Sequence, residues 1–231
     1  GIKAEMIKLV HKNAEYELKR IKLGRDKNNL ALEDLANLLE LKNSPKRIEG
    51  YDISHIQGSN AVGSQVVFID GIPAKQHYRK YKINDITIKT GYNNDYISLA
   101  EIIKRRFLKW SRFVKQGGEI DKINLKSQTV LDSSNLNDWP DLVLIDGGKG
   151  QLNSVVKVLT ELELIEKINI CSLAKQNEEV FVPNIIDPLD TDKEDSSIQL
   201  LRRVRDESHR FALSFHKHRR SKYMTKSKLN N

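Results

Sequence analysis

Asp52, Asp95, Asp146 and His209 are residues of the types that carry hydrolytic chemistry, provided the fold brings them to one place. Asp52 lies within the strand-like run RIEGYDISHIQGSNAVGSQVVFID (47–70), where Asp is disfavoured. A carboxylate buried in a strand is costly unless something positive meets it. Asp52 therefore asks for a cation, an arginine or a capping role. Asp146 ends the continuous apolar run DLVLID (141–146). Two carboxylates held close together repel each other and shift each other's pKa, unless divalent cations sit between them. Asp95, at the start of a helical segment, could reach the same end of a sheet, and His209, on the last helix, could close the cluster. Hard oxygen ligands with one imidazole suit Mg²⁺ or Mn²⁺. Two such ions about 3.5–4 Å apart would activate water and steady the leaving oxygen in phosphodiester cleavage. Each residue also has a plainer role open to it. Asp95, after Asn93-Asn94, suits a helix cap, Asp146 before two glycines suits a strand-end turn, and His209 suits a solvated face.

The glycine turn DGGKG (146–150) invites comparison with a nucleotide-binding loop, but Gly150 follows Lys149 where Ser or Thr is required. Its backbone amides can still hold a phosphate or orient Asp146. A single cysteine, Cys171, excludes an internal disulfide and a cysteine-rich zinc site. The net charge of +8 favours a polyanionic partner, nucleic acid first among them. No apolar stretch reaches the roughly 18 residues of a membrane span and no signal peptide opens the chain, so a cytoplasmic protein is expected.

These residues must be positioned by a small set of elements. Ile2, Met6, Val10, Ala14, Leu18 and Ile21 predict an amphipathic helix over 2–22, which GRDKNN (24–29) breaks before a second helix over 30–41. Three antiparallel strands are expected at 47–54, 61–69 and 74–83, joined by turns at Gln57-Gly58 and Asp70-Gly71. A helix from Asp95 to about Val114 buries Leu99, Ile102, Ile103, Phe107 and Trp110, and presents Lys104, Arg105, Arg106 and Lys109 to solvent or to phosphates. Residues 116–139 read as a long surface loop. A strand at 141–146, a helix at 150–163, strands at 167–173 and 179–182 and a basic helix at 196–223 complete the chain. Strand, glycine turn and helix make half of a parallel α/β unit. In an α/β fold of this order the first strand can pair in parallel with the fourth, and Asp52 and Asp146 would then come from neighbouring strands.

The blocks EGYDISHIQG, YRKYKI, NNDY, DLVLIDGGKGQL, LAKQNEEVF and RRVRDESHRFALSFHKHRRSK, in that order, resemble the C-terminal half of the UvrC family, the incision subunit of the bacterial nucleotide excision repair nuclease. The resemblance implies a ribonuclease H-like mixed five-stranded sheet flanked by helices, preceded by a helical arm. It implies a divalent-metal-dependent endonuclease (Mg²⁺ or Mn²⁺) that cuts damaged double-stranded DNA on the 5′ side of the lesion, with UvrB as partner and UvrA acting upstream. The metal ligands and catalytic residues would be Asp52, Asp95, Asp146 and His209. Lys149 would lie beside the site. Separately from the resemblance, the basic helix faces offer Arg105, Arg106, Arg210, Arg219 and Arg220 as candidate DNA contacts. The implied organisation is a linker from the UvrB-binding region (1–45), the endonuclease domain (46–223) and a tail (224–231) leading towards helix-hairpin-helix motifs. Gly50-Tyr51 departs from the Cys-Phe often found before the DISH block. A non-catalytic module of the same fold that docks DNA or a repair partner is the main alternative. A resolvase- or transposase-like nuclease comes third.

Overall fold

The computed structural model describes residues 2–56, 59–83, 95–120 and 139–229, with side chains described up to Ser214 in the last helix. Eleven regular elements carry the fold among these residues: α1 (Ile2–Leu38), β1 (Arg47–Ile56), β2 (Ser59–Ile69), β3 (Ile72–Pro73), β4 (Arg79–Lys82), α2 (Asp95–Lys115), β5 (Leu142–Asp146), α3 (Lys149–Glu161), β6 (Ile170–Leu173), β7 (Val180–Phe181) and α4 (Ser196–Leu229). The strands form one sheet in the order β3-β2-β1-β5-β6-β7, with β4 also paired to β2. β1 is antiparallel to β2 and parallel to β5, and β5 is parallel to β6. This is the expected ribonuclease H-like mixed sheet. It carries short additional edge strands, and β7 is antiparallel to β6.

Alternation along the strands sorts the side chains into two cores. Tyr51, Val143 and Ile145 face α2 and α3, packing with Ile102, Phe107, Trp110, Leu152 and Val155. Ile48, Leu142 and Leu144 face the other way, with Leu201 and Val204 of α4 and Leu32 and Leu35 of α1. Gly50 faces α4 at a close approach: a Cβ there would stand 2.6 Å from Val204 Cγ1. Glycine thus lets the helix lie directly on β1. The Asp70-Gly71 turn has φ of 50° and 72° at its two residues, the left-handed pair that a two-residue hairpin requires.

Three expectations are corrected. The two N-terminal helices are one continuous helix, because a lone Gly24 costs only about 1 kcal/mol in a helix interior and no proline interrupts the run. The stripe of Met6, Val10, Leu18 and Ile21 is solvent-exposed rather than packed, whereas Ala31, Leu32, Leu35 and Ala36 are buried. The helix ends at Leu38. Glu40 then adopts φ of 52° and Leu41 N–H bonds back to the Ala36 carbonyl, a left-handed stop of the Schellman type. The strand expected over 74–83 is shortened to β4 (Arg79–Lys82): the helical turn Lys75–His77 takes up its first part, and the two-residue β3 precedes it. The third correction concerns Arg106. It does not face solvent: its side chain is buried and bonds Glu49, with Nη2–Oε1 at 2.8 Å and Nε–Oε2 at 3.1 Å. Arg47 and the Tyr51 hydroxyl also donate to Glu49, at 3.0 and 2.7 Å. Burial alone would raise the Glu49 pKa, but Arg106, Arg47 and Tyr51 together hold it below the ordinary value. The Gln57-Gly58 turn and most of the loop expected at 116–139 lie outside the described residues. On the loop's flank Trp139 is buried against Phe107 and Trp110.

Removing one partner of a buried ion pair typically costs about 3–5 kcal/mol. Arg106→Ala is therefore expected to lower the urea unfolding free energy by about 3 kcal/mol. Arg105→Ala, at an exposed position of the same helix, is expected to change it by less than about 0.5 kcal/mol.

Candidate functional site

The ladder between β1 and β5 runs from Ile48↔Leu142 to Tyr51↔Ile145. One residue further along each strand come Asp52 and Asp146. Both share the strand parity that faces α4, so the two carboxylates emerge side by side on one face. Asp52 is 4% exposed and Asp146 8%. From α4, His209 meets them: its Nδ1 lies 3.3 Å from Asp52 Oδ2, and one ligand atom from each of Asp52, Asp146 and His209 falls within 4.8 Å of the others. The position of α4 is set nearby. Ser64 pairs with Asp52 in the β1–β2 ladder, and its hydroxyl donates to the Ser208 carbonyl at 3.0 Å, one residue before His209. The Ser54 hydroxyl approaches the same Asp52 oxygen at 3.4 Å.

Asp95, at the first turn of α2, lines the same cleft as Asp52 and Asp146 without joining the group of three. The backbone of the DGGKG turn starts α3, with the Gly148 N–H donating to Gln151 Oε1 at 2.9 Å. Gln151 also lines the cleft. Lys149 turns elsewhere, donating to the Ile186 carbonyl at 2.8 Å. Arg105 bonds the Lys82 carbonyl and Glu101, Arg210 bonds Glu207, and Arg106 is buried on Glu49 as described above. Arg219 and Arg220 fall in α4 beyond the side chains that the structure describes.

A cation that the sequence reading did not single out also stands at the site. Lys175, in the turn after β6, places Nζ 3.3 Å from Asp146 Oδ2. The approach is a long ion pair, and neither of the two buried Asp146 carboxylate oxygens is closed into a well-formed hydrogen bond. Burial, and then the neighbouring Asp52 charge, push the Asp146 pKa from 3.8 up to about 6, and Lys175 opposes the rise only in part. Only the LAKQNEEVF block hinted at Lys175, as one lysine among many. A pair of buried acidic groups with orphaned oxygens and an imidazole at the rim fits a hard divalent cation. Binding such an ion would supply the partner that these oxygens lack.

Comparison with known proteins adds the following. Residues 36–213 match the family model for the UvrC RNase H endonuclease domain. The chain is 59% identical over 227 residues to UvrABC system protein C of Prochlorococcus marinus (strain MIT 9312), covering 98% of this chain and 35% of that protein. It is 56% identical over 227 residues to the same protein of Synechococcus sp. (strain CC9605), covering 98% and 34%. The chain thus spans about a third of the length of these curated relatives. A solved structure of Ciona intestinalis endonuclease V with an inosine-containing 24mer DNA matches at 13% identity and a TM-score of 0.37, covering 90% of this chain and 99% of that one. That likeness is too slight to bear on either fold or function.

Because its pKa is higher in the folded chain than the ordinary 3.8, Asp146 binds its proton more tightly when folded. The stability this contributes is fully present below about pH 4 and is lost as pH rises through about 6. In metal-free buffer, urea unfolding at a series of pH values is expected to show this decline in the wild type. Asp146→Asn is expected to be stabilised relative to wild type above pH 6 and to gain nothing near pH 4.

Proposed function

The chain belongs to the UvrC RNase H endonuclease family, and on that premise we propose that it hydrolyses a DNA phosphodiester on the 5′ side of a lesion during nucleotide excision repair, using Mg²⁺ or Mn²⁺. The observation that carries the proposal is the convergence of Asp52, Asp146 and His209, from three elements far apart in sequence, around buried carboxylate oxygens with no hydrogen-bond partner. In this reading Asp52, Asp146 and His209 hold the metal and Asp95 adds a carboxylate from the start of α2. The chemistry the bound ion supplies is neutralisation of phosphoryl charge and acidification of the attacking water. The protein's part is placement. The β1–β5 ladder fixes the spacing of the two aspartates, and α4, seated on Gly50 and anchored at Ser208, brings His209 over Asp52. The buried side of the cleft keeps bulk water from screening these charges.

Damaged duplex DNA is the proposed substrate. UvrB, with UvrA upstream, supplies the partners in the complete cytoplasmic system. Residues 46–223 form the proposed endonuclease unit, 1–45 lead in from the UvrB-binding region and 224–231 lead towards further DNA-binding motifs. A purely DNA-docking module gains nothing from clustered carboxylates, which repel phosphate.

Asp52→Asn and Asp146→Asn are each expected to abolish incision of lesion-containing duplex by the nuclease assembled with its repair partners, with circular dichroism unchanged. Calorimetric titration of Mn²⁺ into the chain should show binding by wild type and none by either variant. Incision at the wild-type rate by either variant would overturn the ligand assignment. DNA affinity is expected to fall steeply with salt, in line with the +8 charge.

A further inference from the structure

The β6–β7 hairpin brings Lys175 to the cleft. Leu173 and Val180 close the ladder, and the Ala174 N–H donates to the Glu179 carbonyl at 2.9 Å, leaving Lys175 at the start of the turn. Among the described residues that line the cleft, Lys175 is the one basic side chain, set against Asp52, Asp95 and Asp146. Its side chain is 63% exposed, whereas the Asp146 side chain it faces is 1% exposed. A mostly exposed ammonium at 3.3 Å is a weak partner for a buried carboxylate. A divalent cation bridging both aspartates is a stronger one.

The turn itself is held firmly. Glu178 adopts φ of 59° and is gripped by Arg202 Nε at 3.0 Å and Arg205 Nη2 at 3.5 Å, both on α4, the helix that carries His209. The backbone under Lys175 is thereby tied to the same helix as the imidazole, while the four-carbon lysine stem above it is free to rotate. An ammonium released from Asp146 would stay at the cleft mouth, where a phosphodiester bound at the carboxylates would lie.

We propose that Lys175 is an exchangeable counter-ion: it neutralises Asp146 in the metal-free protein, yields that carboxylate to a divalent cation, and then binds a phosphate of the DNA at the same site. This rests on the metal-site reading above, and it adds a substrate-binding residue whose availability depends on metal. The exchange accounts for a buried carboxylate paired over 3.3 Å with a lysine that stays largely in solvent.

Lys175→Met keeps the stem and removes the charge at an exposed position, so folding is not at stake. Titrated with Mn²⁺ by calorimetry, this variant is expected to bind about threefold to fivefold more tightly than wild type, because the competing exposed ion pair is gone. Binding to a nuclease-resistant phosphorothioate duplex supplies the second readout. With Mn²⁺ present, the slope of log affinity against log salt is expected to be shallower in the variant by about 0.9, one phosphate contact. In metal-free buffer the two slopes should coincide. Unchanged Mn²⁺ affinity, equal slopes with Mn²⁺, or the same slope difference without metal would each overturn the exchange. Asp146→Asn serves as the control that separates the two ideas. If it binds Mn²⁺ as well as wild type, the metal-site reading fails, and an equal slope for Lys175→Met would then reject the phosphate contact independently.

Discussion

Electrostatic repulsion between two neighbouring carboxylates is the constraint on which the rest of this structure turns. Parallel pairing of β1 with β5 puts Asp52 and Asp146 next to each other on one face of the sheet, nearly out of water. Burial, and then the like charge of Asp52, raise the cost of ionising Asp146, and its pKa rises accordingly. A hydrophobic core would not retain such a pair for stability. The proposed cation site would resolve that repulsion, with α4 on the carboxylate face of the sheet and α2 and α3 packed on the other.

The same strand shows the opposite solution three residues from Asp52. Glu49 is as deeply buried as Asp52, but it faces α2 and receives two guanidinium groups and a phenol. Fully satisfied, it keeps its charge and ties α2 to β1. Asp52 and Asp146 receive only a partial set of partners: a hydroxyl at 3.4 Å, a histidine at 3.3 Å and a solvent-exposed lysine. One strand thus carries a closed polar network on one face and an open one on the other. The closed network rigidifies the strand, and the open one leaves room for a ligand.

Helix α4 integrates the site. Its contact with Gly50 sets how closely it lies on β1, and the Ser64–Ser208 bond fixes it along the strand. The guanidinium groups of Arg202 and Arg205 reach the β6–β7 turn. Asn28 accepts from Arg203, and Ser196 bonds Asp34, so α1 braces the helix from behind. Displacing α4 would move the imidazole, the lysine-bearing turn and the brace together.

The sequence determined a good deal by itself. Strand periodicity, the Asp70-Gly71 turn and the strand–glycine–helix unit pointed to antiparallel pairing of the first strands and to a parallel partner for the first in the fourth, and with it the adjacency of Asp52 and Asp146. Those signals are local, set by side-chain alternation and turn chemistry over a few residues. Tertiary structure decided the rest. The exposed reading of Arg106 failed because helical periodicity cannot reveal a buried glutamate on another strand awaiting a guanidinium. GRDKNN did not break the first helix, because its one glycine is tolerated in a helix interior, and packing of the C-terminal part of α1 beside α4 holds the turns that follow. Lys175 had no distinguishing mark among the chain's 39 lysines and arginines. Its closeness to Asp146 arises only where a hairpin turn meets the end of a neighbouring strand, because contacts between residues distant in the chain depend on how the sheet and helices pack.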